Sequence, residues 1–564
     1  MAPVMAQVAT GGPETLPPLP ESGFGVPSVS VPPNAVSTVS PASLGQTPSL
    51  RLPSPGAGIT PLQQNDPSAP AILIQPRVTI GAALTDNARQ TSTDRTADIE
   101  GRLAPGLSIS ADTPRLQGLL QGQFEYDKYA IASDQDQLFA NLFASGLVTA
   151  IPNYLFLDLY SAVSQASRFG GTGFAPVSQV VPQSQLTQTF TSSVSPYLRE
   201  SYKGLVDTEL RYRFASTNFF GNTGSLFPGN TGTPVVAPGL LPFGALTDSI
   251  SNEGTLTVAT GRDFERLLSK LTLDASRFDA SSLISNSRVT GYDDLEYRFT
   301  PAVAALGRIG YENIHYPSLS VPSTVGILWQ VGGRLDFGPD NQYAVLRYGK
   351  QEGIYGFSGS LRYEITPTTV LTAEASQGLG SQQEDAQNAL TGSTLDVYGR
   401  IVDQYNLPTA FVNPEFALQN AVFRERQYRA GITTSIGVNR FFLFASYDHR
   451  SPLGSIAPPS TSIAGNFTWS RDIRPDLNGT MSLGFANVSN LTLVSATPLP
   501  TLTTFSSNGN TATASLGLNY LFTATLTGSL TYSFIYQTGV SGSGLNRAGD
   551  VLTNRLEFSL TKSF

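Results

Sequence analysis

The 564-residue chain predicts an all-β fold: a transmembrane antiparallel β-barrel of about 22 strands, within a range of roughly 16–24. Three observations predict it. Charged residues make up only 13% of the chain, against roughly 25% in soluble domains, yet the mean hydropathy is only −0.05. Membrane helices are far more apolar, whereas a barrel wall alternates oily and wet residues along each strand. The second observation is period-two alternation sustained over ten or more residues, longer than the ~5–6 residues of a soluble strand. The third is that short and long connections alternate along the chain, the asymmetry of spanning barrels.

Residues 1–70 are rich in Pro, Ser, Gly and Val. Runs such as Leu16-Pro17-Pro18-Leu19-Pro20 and Val31-Pro32-Pro33 favour extended backbone and build no core. They predict a disordered periplasmic tail, or alternatively a flexible plug threaded into the lumen, with the barrel occupying 71–564. Val4-Met5-Ala6 has the small residues that a signal peptidase reads, so residues 1–6 are read either as a signal-peptide remnant or as an ordinary terminus. The uncharged run 137–157 is long enough to span as a helix, but Pro152-Asn153 breaks it. It predicts two strands and a tight turn.

Clear alternation begins near Ile72. From Leu205 to Ala215, Val206, Thr208, Leu210, Tyr212 and Phe214 share one face, and Asp207, Glu209, Arg211 and Arg213 the other. Ile354 to Ile365 sets Tyr355, Phe357, Gly359, Leu361 and Tyr363 against Ser358, Ser360, Arg362 and Glu364. Ala524 to Gln537 repeats the pattern. Short turns are predicted at Asp112-Thr113-Pro114, Pro152-Asn153, Ser201-Tyr202-Lys203, Thr300-Pro301, Gly338-Pro339-Asp340-Asn341, Thr366-Pro367, Val438-Asn439-Arg440 and Arg474-Pro475-Asp476. Between them lie the longer stretches 164–185, 216–248, 378–422, 451–460 and 487–509. Short turns follow even-numbered strands, which places both termini at one end.

The closing segment, VLTNRLEFSLTKSF, puts Leu552, Leu556, Phe558, Leu560 and Phe564 on one face and ends on an aromatic residue. It resembles the assembly signal of bacterial outer-membrane barrels, carried here by Phe558, Leu560 and Phe564. Arg77 to Tyr126 is similar to the opening of the BBP2-type β-barrel porins: a strand to Thr85-Asp86-Asn87, a polar loop, an acidic start at Asp98, a strand containing Pro105-Gly106 and a hairpin at Asp112-Thr113-Pro114. It is also similar to outer-membrane proteins associated with exopolysaccharide gene clusters. The resemblance covers about 72–215 and implies the bacterial outer membrane of a Gram-negative envelope. The short-turn asymmetry places both termini on the periplasmic side, and the closing strand implies lipid and the barrel-assembly machinery as partners. The tail is too short and too Pro-rich for the folded plug of a TonB-dependent receptor.

The inward charges are the candidate functional residues: Asp207, Glu209, Arg211, Arg213, Asp294, Glu296, Arg298, Arg308, Glu312, Arg334, Asp336, Arg362, Glu364 and Arg429. Such charges either select permeants by sign or pair across strands and stiffen a hydrated wall. Pairing is the ordinary role of any one of them. Both signs are present, so no strong ion selectivity follows. The longest connection, 378–422, carries Leu395, Tyr398, Ile401, Val402 and Tyr405 at helical spacing. Asn413-Pro414-Glu415 reads as a helix cap with Pro at the first helical position. A connection this long predicts either a constriction or lid at the pore, or a plain surface loop. Trp329, Trp469, Tyr126, Tyr212 and Tyr536 fit either interfacial girdles or ordinary cross-strand packing.

Catalysis is not expected. His315 and His449 are the only imidazoles, and adjacent Asp448 and His449 point to opposite faces of a strand. Ser446 and Ser451 near His449 are ordinary in a Ser-rich chain. No nucleophile elbow, metal-ligand cluster or cofactor motif stands out. A net charge of −8 argues against nucleic acid. The sequence thus predicts a channel for a small hydrophilic solute or an exported polysaccharide. The alternative is a structural or adhesive barrel with a closed lumen whose outer loops bind ligands. No repeat of fixed period supports a soluble solenoid.

Overall fold

The computed structural model describes residues 71–564 apart from 169, 175, 222–246, 262, 281–283, 318–320, 339–341, 392, 396–400, 404–406, 408–410, 412, 454–458, 496–502 and 539–549. The Pro-rich segment 1–70, the turn residues Pro339-Asp340-Asn341, and Tyr398 and Tyr405 lie outside the described residues.

In chain order the strands are β1 (Ile72–Thr85), β2 (Asp98–Asp112), β3 (Leu116–Tyr129), β4 (Gln137–Ile151), β5 (Leu155–Ser167), β6 (Leu186–Tyr202), β7 (Val206–Gly221) and β8 (Ser249–Thr260). Next come β9 (Leu267–Asp279), β10 (Asn286–Thr300), β11 (Val303–His315), β12 (Thr324–Gly338), β13 (Gln342–Gln351), β14 (Ile354–Thr366) and β15 (Thr369–Ser381). After a two-stranded hairpin, β16 (Thr394–Leu395) and β17 (Ile401–Val402), follow β18 (Val422–Ile436), β19 (Asn439–Pro452), β20 (Ser460–Arg474), β21 (Leu477–Ser495), β22 (Thr503–Thr523), β23 (Leu526–Thr538) and β24 (Val551–Ser563). Apart from the hairpin, every strand pairs antiparallel with its neighbours in one 22-stranded sheet. β15 pairs with β18, and β24 returns to β1 from Arg77↔Ser563 to Thr85↔Arg555. Closure leaves no strand edge unpaired, as a lipid environment demands.

The wall is inverted relative to a soluble protein. On β7, Leu210 is 53% exposed and Tyr212 48%, while Arg211 and Arg213 are only 6% and 5% exposed. The same inversion exposes Tyr355 and Phe357 on β14 and Leu556 and Phe558 on β24. Oily side chains that face outward without cover are stable where the surroundings are hydrocarbon. Aromatic pairs gather at two heights on this outer face. Near the short-turn end lie Tyr297–Phe299, Phe337–Tyr363, Phe441–Trp469 and Tyr520–Phe522. Near the other end lie Trp329–Tyr348, Tyr348–Phe357 and Tyr428–Tyr447. These are the levels where Trp and Tyr favour a headgroup layer. Tyr212 sits nearer mid-strand, bonded to Asn252 Oδ1 at 2.7 Å.

Turns after even-numbered barrel strands are short, and β1 starts and β24 ends at that same end. One tight turn breaks the rule. β13 and β14 are joined at the long-loop end by Glu352 and Gly353, both at positive φ (54° and 71°), as a two-residue hairpin of this twist requires. The Glu312 carboxylate accepts from both turn amides, at 2.7 and 2.9 Å. The rim is low here, and an apolar cluster of Phe278, Ile284, Ile314, Tyr316, Val321, Ile354, Leu379 and Val422 lies beside it.

The closure seam is clamped from within. Ala83 and Gly81 on β1 are too small to separate the side chains of β2 and β24. Arg555 of β24 therefore reaches Glu100 of β2, with Nη2 2.7 Å from Oε1, and Arg102 of β2 pairs with Glu557 of β24. Arg102 also meets Glu125 of β3 at 2.8 Å. Removing one partner leaves buried charge uncompensated. Arg555→Ala is expected to destabilise the barrel by about 3–5 kcal/mol. The folded band of unboiled gel samples would then vanish at a lower temperature than for an Arg95→Ala control.

Candidate functional site

Buried apolar side chains on the inner face of the wall meet others from two loops, and together they hold those loops inside the barrel at its long-loop end. The first loop runs from β15 to β18. Ser381 caps helix α1 (Gln382–Leu390) in a capping box with Glu384. Ala386 and Leu390 pack on the wall residues Phe143, Tyr160 and Ala162, joined by Ile401 and Phe411. The helix is polar in sequence but buried, so each inward amide needs a partner. Gln382 Nε2 donates to Ala417 O at 3.3 Å, and its Oε1 accepts from Gln419 N at 2.8 Å. Gln383 Nε2 donates to Asn420 Oδ1 at 2.8 Å, and Gln387 Nε2 reaches Ser249 Oγ at 3.1 Å.

The second loop, 168–185, crosses from β5 to β6. Its Val177, Val180 and Val181 pack with Leu186 and with Ile535 of β23. The two loops interlock through their backbones. Gly171 N donates to Glu415 O at 3.0 Å, Thr172 N to Pro414 O at 3.3 Å, and Leu418 N to Arg168 O at 3.0 Å. Gly170 makes the approach possible: it sits at φ +69°, and a Cβ there would lie 2.4 Å from the carbonyl carbon of Phe416. Gly171 O then accepts from Thr511 Oγ1 at 2.7 Å and Gln537 Nε2 at 3.2 Å. Phe174 meets Phe444 edge-on. Together the loops touch β4 to β8, β15, β18, β19 and β21 to β23, and so bridge the lumen.

Three wall arginines grip the first loop. Arg213 donates through Nη2 to Asn388 Oδ1 (3.0 Å) and through Nη1 to Thr391 Oγ1 (3.3 Å), while Glu253 balances its charge at 2.6 Å. Arg429 pairs with Asp403 of the loop at 2.5 Å and with Glu374 of the wall. Arg450 lies between the Phe416 and Phe423 rings, 4.0 and 4.4 Å from their centres, and donates to Ala417 O at 3.1 Å. Acids crowd the same region. Burial pushes Glu415 up to about 8, with Asp448 adding to it and a Gly173 hydrogen bond opposing. Its Oε2 has no hydrogen-bond partner. Burial also raises Asp385 well above the usual range, reinforced by Glu425 and Glu384. Glu384 is raised by burial against the pull of Arg288.

The sequence-predicted charges fall into local groups around the wall. Arg211 meets Asp158 at 2.6 Å and Glu209 at 2.9 Å and stacks over Tyr197 at 3.9 Å. Asp207 lies half-buried near the short-turn mouth. Asp294 accepts from Arg308 (2.8 Å) and Arg347 (2.7 Å). Glu296 pairs with Arg298 at 2.7 Å, Arg334 with Asp336 at 2.8 Å, and Arg362 with Glu364 at 3.3 Å. Glu312 caps the rim turn. Of these residues, Arg213 and Arg429 reach described residues of the inward loop. Phe558 and Phe564 are exposed outward, and Phe564 N extends the seam to Pro76 O at 2.9 Å. Leu560 is half-buried.

Two expectations for the loop are corrected. Leu395, Ile401 and Val402 lie on the hairpin β16–β17, not on a helix. The apparent helical period comes from each strand facing the same small core. Asn413-Pro414-Glu415 forms a turn in which Asn413 Oδ1 accepts from Glu415 N at 3.0 Å, and no helix follows. The helix lies upstream, where Ser381-x-x-Glu384 was the available signal. Sequence reading also missed Arg450, the 168–185 loop as a partner and the glycines that join them. His449 bonds Thr461 Oγ1 at 3.0 Å, while Asp448 is buried on the opposite face against Gln427.

No protein-family model and no curated protein matches the sequence. Solved structures with a similar course of chain include the FrpB iron transporter of Neisseria meningitidis (10% identity, 87% of this chain and 81% of that chain, TM-score 0.48). Others are the ferric-catecholate import receptor Fiu of E. coli K12 (9%, 87% and 81%, 0.44) and the siderophore receptor PirA of Acinetobacter baumannii (10%, 87% and 80%, 0.43).

Proposed function

We propose that the chain is an outer-membrane channel for a hydrophilic solute, and that its own two inward loops control passage. One observation carries this reading. An oily closed wall surrounds a polar, charge-paired interior, and the two loops inside its long-loop end are held to the wall by several small separate apolar clusters, three arginines and a few amides rather than by one continuous core. A 22-strand barrel is wide enough to leave a passage once such a filling shifts. The short-turn end, with the start of β1 and the end of β24, faces the periplasm, and the long loops face outward, as in other barrels of this class. Passage of an exported polysaccharide is the narrower form of the reading, supported by the resemblance of 77–126.

The second reading, a closed surface barrel that binds outside ligands, is favoured by how completely the loops bridge the long-loop end. Reconstitution into planar bilayers separates the two. Discrete conductance steps are expected for a channel. A protein that inserts and folds, yet never conducts at any voltage or pH, belongs to the second class.

A further inference from the structure

Eight arginines among the described residues are buried, and seven of them have hydrogen-bond or ionic partners. The eighth is Arg77 on β1, 3% exposed, with Nε and Nη2 both unpartnered. These two nitrogens form one edge of the guanidinium, and that edge matches the two oxygens of a carboxylate. The chain uses the same edge elsewhere: Arg308 Nε and Nη2 each lie 2.8 Å from one oxygen of Asp294. At Arg77 the same edge is buried with no acid against it among the described residues.

The surroundings are shaped for such a group. Arg77 lies opposite Gly106 of β2, where a Cβ would stand 2.8 Å from Nε, so only glycine leaves this course open. One rung along, Ser108 pairs with Gln121 of β3. Both are buried, and Gln121 Oε1 is also unpartnered. A buried guanidinium without an anion is costly, and neutral hydrogen-bonding groups beside it suit a hydroxylated acid. Arg77 stands just inside the short-turn mouth, at the end of the barrel away from the loop plug.

We propose that Arg77, with Gln121 and Ser108, forms a binding station for a carboxylate-bearing hydrophilic solute at the short-turn mouth of the lumen. Taken as the first stop of a permeant, the site rests on the channel reading; as a binding site it does not.

Calorimetric titration of the full chain in detergent, at fixed ionic strength, tests it with sodium glucuronate and sodium phosphate as probes. Saturable glucuronate binding is expected, tighter than phosphate because the free edge takes two coplanar oxygens. Arg77→Gln is expected to weaken it about tenfold or more. Gly106→Val should weaken it with the charge intact, and exposed Arg199→Gln should leave it unchanged. No glucuronate binding, phosphate binding tighter than glucuronate, or equal affinity in folded Arg77→Gln overturns the site. Binding without conductance upholds the site and removes the channel. Conductance without glucuronate binding does the reverse.

Discussion

Deleting residues 385–418 is expected to raise single-channel conductance on the order of threefold or more, because a barrel of this strand number is wide once its filling is removed. The deletion is geometrically mild. Gln382 and Gln383 already bond Gln419 and Asn420 across the base of the loop, so the cut ends lie side by side. It also removes Glu415 O and Pro414 O, the acceptors for Gly171 and Thr172, and so releases the 168–185 loop from its partner. The wall does not depend on the loop, since β15 and β18 pair directly from Ser381↔Val422 to Thr369↔Thr434. A heat-modifiable folded band confirms that the deleted protein is still a barrel. The double variant Arg213→Ala/Arg429→Ala tests the same point without shortening the chain: with two grips lost, brief openings should become more frequent. A folded deletion variant that conducts like the full chain would show that the loops do not limit passage.

The barrel was legible because its signal is strictly local. Alternation at Leu210, Tyr212 and Phe214 against Arg211 and Arg213 states which face meets lipid, and no distant residue changes that. Turn residues such as Pro152-Asn153 and Thr366-Pro367 were equally local. The length of 378–422 pointed to a constriction or lid, but the way it docks was not legible, because its determinants meet only after closure. Arg450 reads as one more inward charge on β19, and nothing near it in sequence shows that Phe416 will lie over its face. Gly170 and Gly171 read as ordinary loop glycines until Phe416 and Glu415 are brought against them. The polar helix beginning at Gln382 reads as a surface helix, yet it is buried against a ring of wall side chains. For the same reason the period at Leu395, Ile401 and Val402 pointed to a helix: a small core approached by a hairpin and a helix imprints similar spacing on both.

The second large effect is a dependence of opening on pH. Glu415 is held near 8 in the docked loop by burial and by Asp448, against an ordinary glutamate value of 4.5. When the loop moves out, the carboxyl regains water and its ordinary value. Below 4.5 both states carry the proton, and docking is at full strength. As pH rises from 4.5 toward 8, the released state loses its proton and the docked state keeps it. Each pH unit therefore weakens docking about tenfold for this group. Above about 8 the docked carboxyl ionises too, and this group adds no further change. Asp385 acts in the same direction, raised by burial and then by Glu425 and Glu384, with Arg450 opposing. Glu352 also faces it, and Arg288 faces Glu384 from β10. The charges around the loop are thus mostly acidic, so ionisation adds repulsion to the cost of desolvation. Open probability at fixed voltage should rise steadily between pH 5 and pH 8. Glu415→Gln/Asp385→Asn keeps the shape of both side chains and fixes them neutral, and should flatten that rise while leaving the conductance of the open state unchanged. A wild-type record flat across this range, or a variant as steep as wild type, would place the control of the pore elsewhere than in these two carboxyl groups.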